Sequence, residues 1–97
     1  MSPIITSISE SSRPIFKKYG LKKAGIFGSF ARGEEKPESD IDILISIGEP
    51  LSMWELAGLR EELSAHLKRP VDIVSDKAII SYFKDYIYSD LKTIYEI

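Results

Sequence analysis

Two aspartates, Asp40 and Asp42, flank an isoleucine at the start of an apolar run that continues to Ile47, and this placement constrains the fold more than any other feature. Such a run is typical of a buried β-strand. Because side chains alternate across a strand, the two carboxylates point to the same face. Paired acids among apolar residues are costly unless a cation offsets their charge, and a divalent metal ion is the usual solution. The pattern therefore predicts a strand that presents metal ligands.

The segment before this strand supplies a complementary element. An apolar stretch that ends at Phe27 predicts a short buried strand, followed by a tight turn at Gly28 and Ser29. Glycine lets the backbone approach a polyphosphate, and the following amides and the Ser29 hydroxyl are donors for phosphate oxygens. Arg32 is either a further phosphate ligand or a solvated loop charge. We therefore predict Gly28, Ser29 and Arg32 as nucleotide-binding residues.

A third acid, Asp72, occurs in another strand-like run, Val71 to Val74, where aspartate is disfavoured. Beside the first pair it would bind a metal ion or activate an attacking hydroxyl; alternatively it only caps its strand. Mg²⁺ prefers carboxylate and phosphate oxygens, and two ions about 4 Å apart hold both the attacking and the leaving oxygen of an in-line displacement. We predict magnesium-dependent phosphoryl chemistry, with Asp40, Asp42 and Asp72 as catalytic residues and metal ligands.

The segment from Phe27 to Leu44 resembles the signature of the polymerase-beta-like nucleotidyltransferase superfamily, in which glycine–serine precedes Asp-x-Asp and a later aspartate lies on another strand. The small size and the run from Gly28 to Gly33 make the chain most similar to the minimal nucleotidyltransferase (MNT) family. The resemblance implies an α/β fold with a small mixed β-sheet flanked by helices, the polymerase-beta-like nucleotidyltransferase fold. It also implies ATP as substrate, one or two Mg²⁺ ions, and the site roles predicted above.

The resemblance further implies a partner. Minimal nucleotidyltransferases of this kind are similar to the antitoxin half of two-gene pairs whose toxin is a helical HEPN ribonuclease, and there the enzyme transfers AMP from ATP to tyrosine hydroxyls of the toxin. Ninety-seven residues leave no length for an acceptor-binding domain, so we expect the acceptor on another polypeptide, encoded by a neighbouring gene. Two alternatives stay open: an antitoxin that masks its partner with vestigial catalysis, and a nucleotidyltransferase with a small-molecule acceptor.

Composition favours a small cytoplasmic protein. The chain has no cysteine, which excludes disulfides and thiolate metal sites. No apolar stretch approaches the roughly 20 residues of a membrane span, and the N-terminus lacks a signal-peptide profile. The net charge of −2 argues against strong direct nucleic-acid binding. We expect one domain over residues 1–97, in the cytoplasm and away from membranes.

Local patterns predict the order helix, strand, loop, strand, helix, strand, helix. The first helix should run from about Ile4 to Tyr19, with Pro14 kinking or splitting it. The strands should cover Lys22 to Phe27, Ile41 to Ile47 and Val71 to Val74. The second helix should begin at a capping box of Ser52 and Glu55 and carry a core stripe of leucines, namely Leu56, Leu59, Leu63 and Leu67.

The last segment, from about Ala78 to Ile94, has apolar residues at helical spacing and is predicted as a helix. Its inward positions would be Phe83, Ile87, Leu91 and Ile94. Four tyrosines in this region are either a docking surface or ordinary helix packing: Tyr82, Tyr86, Tyr88 and Tyr95.

Overall fold

A computed structural model describes residues 2–79 and 81–97, in which helices and strands alternate along the chain. The helices are α1 (Pro3–Lys18), α2 (Ser29–Arg32), α3 (Met53–Leu67) and α4 (Ser81–Asp90), and a 3₁₀ turn covers Asp76–Ala78. The strands are β1 (Leu21–Phe27), β2 (Ile41–Ile47), β3 (Val71–Ser75) and β4 (Lys92–Glu96).

The four strands form one mixed sheet in the order β3-β2-β1-β4. β1 pairs antiparallel with both β2 and β4, whereas β2 and β3 are parallel. A parallel pair needs a crossover connection, and α3 supplies it between β2 and β3. The predicted small mixed sheet flanked by helices is confirmed.

The two faces of the sheet carry apolar clusters of different size. On one face, Ile41, Ile43 and Ile45 are at most 1% exposed and join a large core with residues of α1 and α3. The alternate residues of β2 face the other way, where Leu44 packs with Phe27 and with Ile87 of α4. Asp42 shares the orientation of Leu44 because the two are separated by one residue. The acid therefore lies on the lightly covered α4 face.

The helix α3 begins and packs as predicted. The Ser52 hydroxyl accepts a hydrogen bond from the amide of Glu55 at 3.1 Å, and the Glu55 carboxylate accepts one from the Ser52 amide at 2.9 Å. This capping box satisfies two of the amides that a helix start leaves unpaired. Leu59 and Leu63 are fully buried, and Leu56 and Leu67 pack against the same core.

The prediction of one helix from about Ala78 to Ile94 is wrong. Helix α4 ends at Asp90, and Lys92–Glu96 is a strand that pairs with β1. The spacing of Leu91 and Ile94 indicated a helix, but the run Thr93, Ile94 and Tyr95 consists of residues that strands favour, and β1 offers it an edge to pair with. Ile80, which the predicted helix included, lies outside the described residues.

Three predictions for single residues have different outcomes. Helix α1 runs from Pro3 to Lys18 without a break, so Pro14 does not split it, and a kink at Pro14 stays a prediction. The prediction that Phe83 faces inward is wrong, because Phe83 is 50% exposed. Tyr95 is buried on β4 with its ring 5.5 Å from that of Phe16, so it belongs to the core and not to a docking surface. Tyr82, Tyr86 and Tyr88 are exposed.

Across residues 2–79 and 81–97, no helix has the length and apolar character needed to cross a membrane.

Candidate active site

The sheet register brings two of the predicted acids side by side. Asp42, the second residue of β2, is aligned with Asp72, the second residue of the parallel strand β3. Neighbouring strands lie about 4.8 Å apart and aligned residues share a face, so the two carboxylates project together. Asp40 immediately precedes β2 and is separated from Asp42 by one residue. The structure thus places Asp42 beside Asp72 on two neighbouring strands, with Asp40 just before the first of them.

The surroundings of Asp42 disfavour its negative charge. Burial, followed by the charges of Asp72 and then Asp40, raises the pKa of the half-buried Asp42 carboxyl, and Arg32 only partly opposes this. Asp40 and Asp72 are exposed. Among the three acids, and within the described residues, Asp72 is the one with an ion-pair partner: its Oδ1 lies 3.7 Å from Nη2 of Arg60. Asp42 is the acid that gains most from a bound cation.

Gly28 is built into the same corner. Its φ of +78° and ψ of −153° lie in a region that only glycine populates readily. A Cβ at this position would collide with Oδ2 of Asp42 and lie 3.3 Å from its Cγ. The backbone therefore passes directly over the Asp42 carboxylate before α2 begins at Ser29. The turn and the acid are brought together, as the sequence pattern predicted.

Arg32 is exposed, and its guanidinium is paired with two acids. Its Nε lies 2.7 Å from Oε1 of Glu34, and its Nη1 lies 2.7 Å from Oδ2 of Asp90 at the end of α4. Hydrogen bonds to these two acids raise the pKa of the guanidinium. A phosphate at Arg32 would compete with two carboxylates. Its role as a phosphate ligand stays a prediction.

Two neighbours of the site, Arg60 and Asp90, were missed by the sequence analysis. Arg60 of α3 donates from Nε to the carbonyl oxygen of Val71 at 3.0 Å and reaches Asp72 around the edge strand β3. Asp90 meets Arg32 from the far end of α4. Both contacts join residues of different elements, and no local motif marks them.

The donor chemistry of the site fits Mg²⁺, which takes oxygen ligands from carboxylates and phosphates. In residues 2–79 and 81–97, no group of three or more His, Cys, Asp or Glu side chains already converges on one point. Asp40 and Asp72 are exposed, so their side chains can turn toward Asp42 without disturbing the core. A bound Mg²⁺ would offset the repulsion that Asp42 experiences from Asp72 and Asp40, and would thereby favour that convergence.

The raised pKa of Asp42 predicts a pH dependence of stability in the absence of metal. Because the folded-state pKa exceeds the usual 3.8, ionisation of Asp42 opposes folding. That penalty is absent below the unfolded-state value and grows as pH rises through the interval up to the folded-state pKa. We expect the melting temperature of the wild type in EDTA to fall below that of Asp42→Asn as the pH increases through this window. Parallel melting curves for the two proteins, from about pH 3 to about pH 8, would contradict the assignment.

The family model for the nucleotidyltransferase domain matches residues 9–95. MJ0435 of Methanocaldococcus jannaschii, a candidate protein adenylyltransferase, is 42% identical over 86 residues, covering 89% of this chain and 92% of the relative. The protein adenylyltransferase MntA of Thermococcus cleftensis is 32% identical over 81 residues, covering 84% of this chain and 82% of MntA.

A solved structure shows the same fold. It is a complex of a tri-AMPylated HEPN toxin from Shewanella oneidensis with MNT antitoxin. One of its chains matches with a TM-score of 0.75 at 17% identity, over 96% of this chain and 73% of the other. The predicted polymerase-beta-like fold and the resemblance to minimal nucleotidyltransferases are confirmed.

Proposed function

Because the chain belongs to the nucleotidyltransferase domain family, we propose that it transfers AMP from ATP to a hydroxyl group of a partner protein, with Mg²⁺ as cofactor. The alignment of Asp42 with Asp72, under the Gly28 turn, carries the proposal. Two carboxylates beside a glycine turn suit a metal-bound polyphosphate. The names of the relatives, protein adenylyltransferases, support a protein as the acceptor.

In the proposed reaction, the acceptor hydroxyl oxygen attacks the α-phosphorus of ATP. A new P–O bond forms while the bond from the α-phosphorus to the bridging oxygen breaks, and pyrophosphate leaves. Asp72 is the residue that accepts the hydroxyl proton, because it is exposed and thus accessible to an acceptor from another molecule. Bound Mg²⁺ would offset the phosphate charge and orient the leaving oxygen.

The remaining residues of the site hold the nucleotide. Asp40 and Asp42 are the metal ligands, together with Asp72. Gly28 gives the phosphates access to the backbone, and the amide and hydroxyl of Ser29 donate to phosphate oxygens. Arg32 contributes to this grip only after exchanging a carboxylate partner for phosphate, because both of its arms are paired.

The proposed acceptor is a tyrosine of a HEPN-type toxin encoded next to this chain, and the chain is its antitoxin. The Shewanella oneidensis complex contains a tri-AMPylated HEPN toxin with its MNT antitoxin, which supports this choice. Each AMP adds negative charge to the toxin, and negative charge repels the phosphate backbone of RNA. Modification would thereby silence a ribonuclease.

Co-expression with the neighbouring gene product tests the proposal. We expect the intact mass of the toxin to rise by one or more AMP units, and to stay unmodified when the antitoxin carries Asp40→Asn. Peptide mapping should find the added groups on tyrosine. A toxin that is fully inhibited without any mass increase would contradict the transferase proposal and favour inhibition by masking. A modified small molecule in place of the toxin would identify the other alternative.

A further inference from the structure

The position of Asp40 depends on the irregular loop that precedes it. This loop connects α2 to β2, and the exposed carboxylate of Asp40 is not packed into the core. Inside the loop, the Ser39 amide donates to the Lys36 carbonyl at 3.0 Å, and the Lys36 amide donates to the Ser39 hydroxyl at 2.8 Å. These bonds close a local turn but do not attach it to the rest of the protein.

Arg69 makes that attachment. One terminal nitrogen of its guanidinium lies within hydrogen-bond distance of three main-chain carbonyl oxygens of the loop and shares its two hydrogens among them: those of Lys36 at 3.1 Å, Pro37 at 3.0 Å and Ser39 at 3.3 Å. Unpaired carbonyl groups in an irregular segment need donors, and a charged donor makes a stronger bond than a neutral one. The last of the three carbonyls belongs to the residue directly before Asp40.

The same guanidinium also contacts α2, the short helix that follows the Gly28–Ser29 turn. Its central carbon lies 5.0 Å from the ring centre of Phe30, which is fully buried and directly follows Ser29. A cation over an aromatic face at this distance is an attractive contact. Arg69 thus contacts both Phe30, the residue that directly follows the Gly28–Ser29 turn, and the loop that delivers Asp40.

The backbone of Arg69 is fixed as well. Its amide donates to the carbonyl oxygen of Ser64 at 3.3 Å, and the carbonyl of the next residue, Pro70, accepts a bond from the Ile41 amide at 3.0 Å. The position from which the guanidinium reaches across is therefore tied to α3 on one side and to the start of β2 on the other. Because the backbone of Arg69 is fixed and its guanidinium contacts the loop carbonyls, Arg69 constrains the position of the loop.

We infer that Arg69 is a positioning residue for the metal site, fixing Asp40 relative to the Gly28–Ser29 turn. The inference rests on the proposed function, since Asp40 matters there as a metal ligand. Partners that orient a metal ligand commonly change metal affinity by about 10-fold to 100-fold when they are removed. Arg69 makes no contact with the metal ligands' own carboxylates in the described residues, so its effect acts through the loop.

The test compares Arg69→Gln with a matched control, Arg13→Gln. Arg13 also lies over an aromatic ring, with its central carbon 6.0 Å from the ring centre of Tyr95, but that ring is on the opposite edge strand β4. Binding of Mn²⁺ to each protein would be followed by electron paramagnetic resonance in the presence of a non-hydrolysable ATP analogue. Exchange of the Ser39 amide hydrogen would report on the loop.

We expect Arg69→Gln to weaken Mn²⁺ binding about tenfold or more and to speed exchange at Ser39, with Arg13→Gln unchanged in both. Arg69→Lys keeps a charged donor and should recover part of the affinity. If the glutamine variant does not fold, the Mn²⁺ affinity of Arg69→Lys, expected to lie between that of the wild type and a loss of about tenfold, tests the inference instead. Wild-type Mn²⁺ affinity in Arg69→Gln, or an equal loss in the control, would overturn the inference alone. A wild-type chain that binds no Mn²⁺ would overturn the proposed function together with it.

Discussion

Asp42→Asn is expected to abolish nucleotide transfer, by about 10³-fold or more, while leaving the fold intact or slightly more stable. A loss of this size corresponds to roughly 4 kcal/mol of transition-state stabilisation. The amide has nearly the shape of the carboxyl but gives up the charge that the metal needs. In the metal-free protein the same change relieves repulsion, because burial and the charges of Asp72 and Asp40 raise the pKa of Asp42. Transfer rate and melting temperature, measured together near neutral pH, check both halves.

A surface acid serves as the control for this prediction. Asp85 is exposed on α4, and Asp85→Asn should change neither rate nor melting temperature appreciably. Asp40→Asn should lose transfer as Asp42→Asn does. Because Asp40 is exposed, the gain in stability should be smaller there. An active Asp42→Asn enzyme would remove Asp42 from the site.

Gly28→Val is expected to eliminate nucleotide binding. The branched side chain cannot easily take the φ of +78°, and its Cβ would occupy the space of the Asp42 carboxylate oxygen. The backbone must then move away from the acid, so the phosphate donors and the metal ligands lose their common geometry. Titration calorimetry with a non-hydrolysable ATP analogue and Mg²⁺ measures the effect directly.

Gly20→Val separates backbone strain from damage to the site. Gly20 also has a positive φ, of +69°, but a Cβ there would meet nothing within 4 Å. Both variants should lose about 1–3 kcal/mol of stability through strain, and only Gly28→Val should lose nucleotide binding. If Gly28→Val bound the analogue as Gly20→Val does, Gly28 would not lie at the phosphates.

Ser29→Ala should weaken binding of the analogue by about 1 kcal/mol, because it removes one hydroxyl hydrogen bond and leaves the amides.

The parts of the fold that were predictable depend on local patterns. The period-two alternation around Asp42 fixed both the strand and the face of the acid, and the Ser52–Glu55 box fixed the start of α3. These inferences need only a few consecutive residues each. That Asp72 lies beside the strand of Asp42 was only assumed from the sequence, and the parallel register of β2 and β3 supplies it.

The parts that were not predictable depend on contacts across the chain. The segment after Asp90 became a strand because β1 had an edge to pair with, which no window of local sequence reveals. The partners of Arg32 and Asp72 were missed for the same reason, since Asp90 and Arg60 come from other elements. Arginine at any of these positions gives no sequence signal of which acid or carbonyl it will meet.

The strand β4 has a consequence for folding during synthesis. β4 pairs with β1, and the carbonyl of its Ile94 accepts a hydrogen bond from the Ser9 hydroxyl of α1 at 2.6 Å, so β4 completes elements that precede it by many residues in the sequence. Synthesis proceeds from the N-terminus, and β1 therefore leaves the ribosome long before β4 exists. Until Glu96 has emerged, β1 has an unpaired edge that invites association with other chains. The nascent chain thus carries an open sheet edge during an interval in which all of the site residues have already been made.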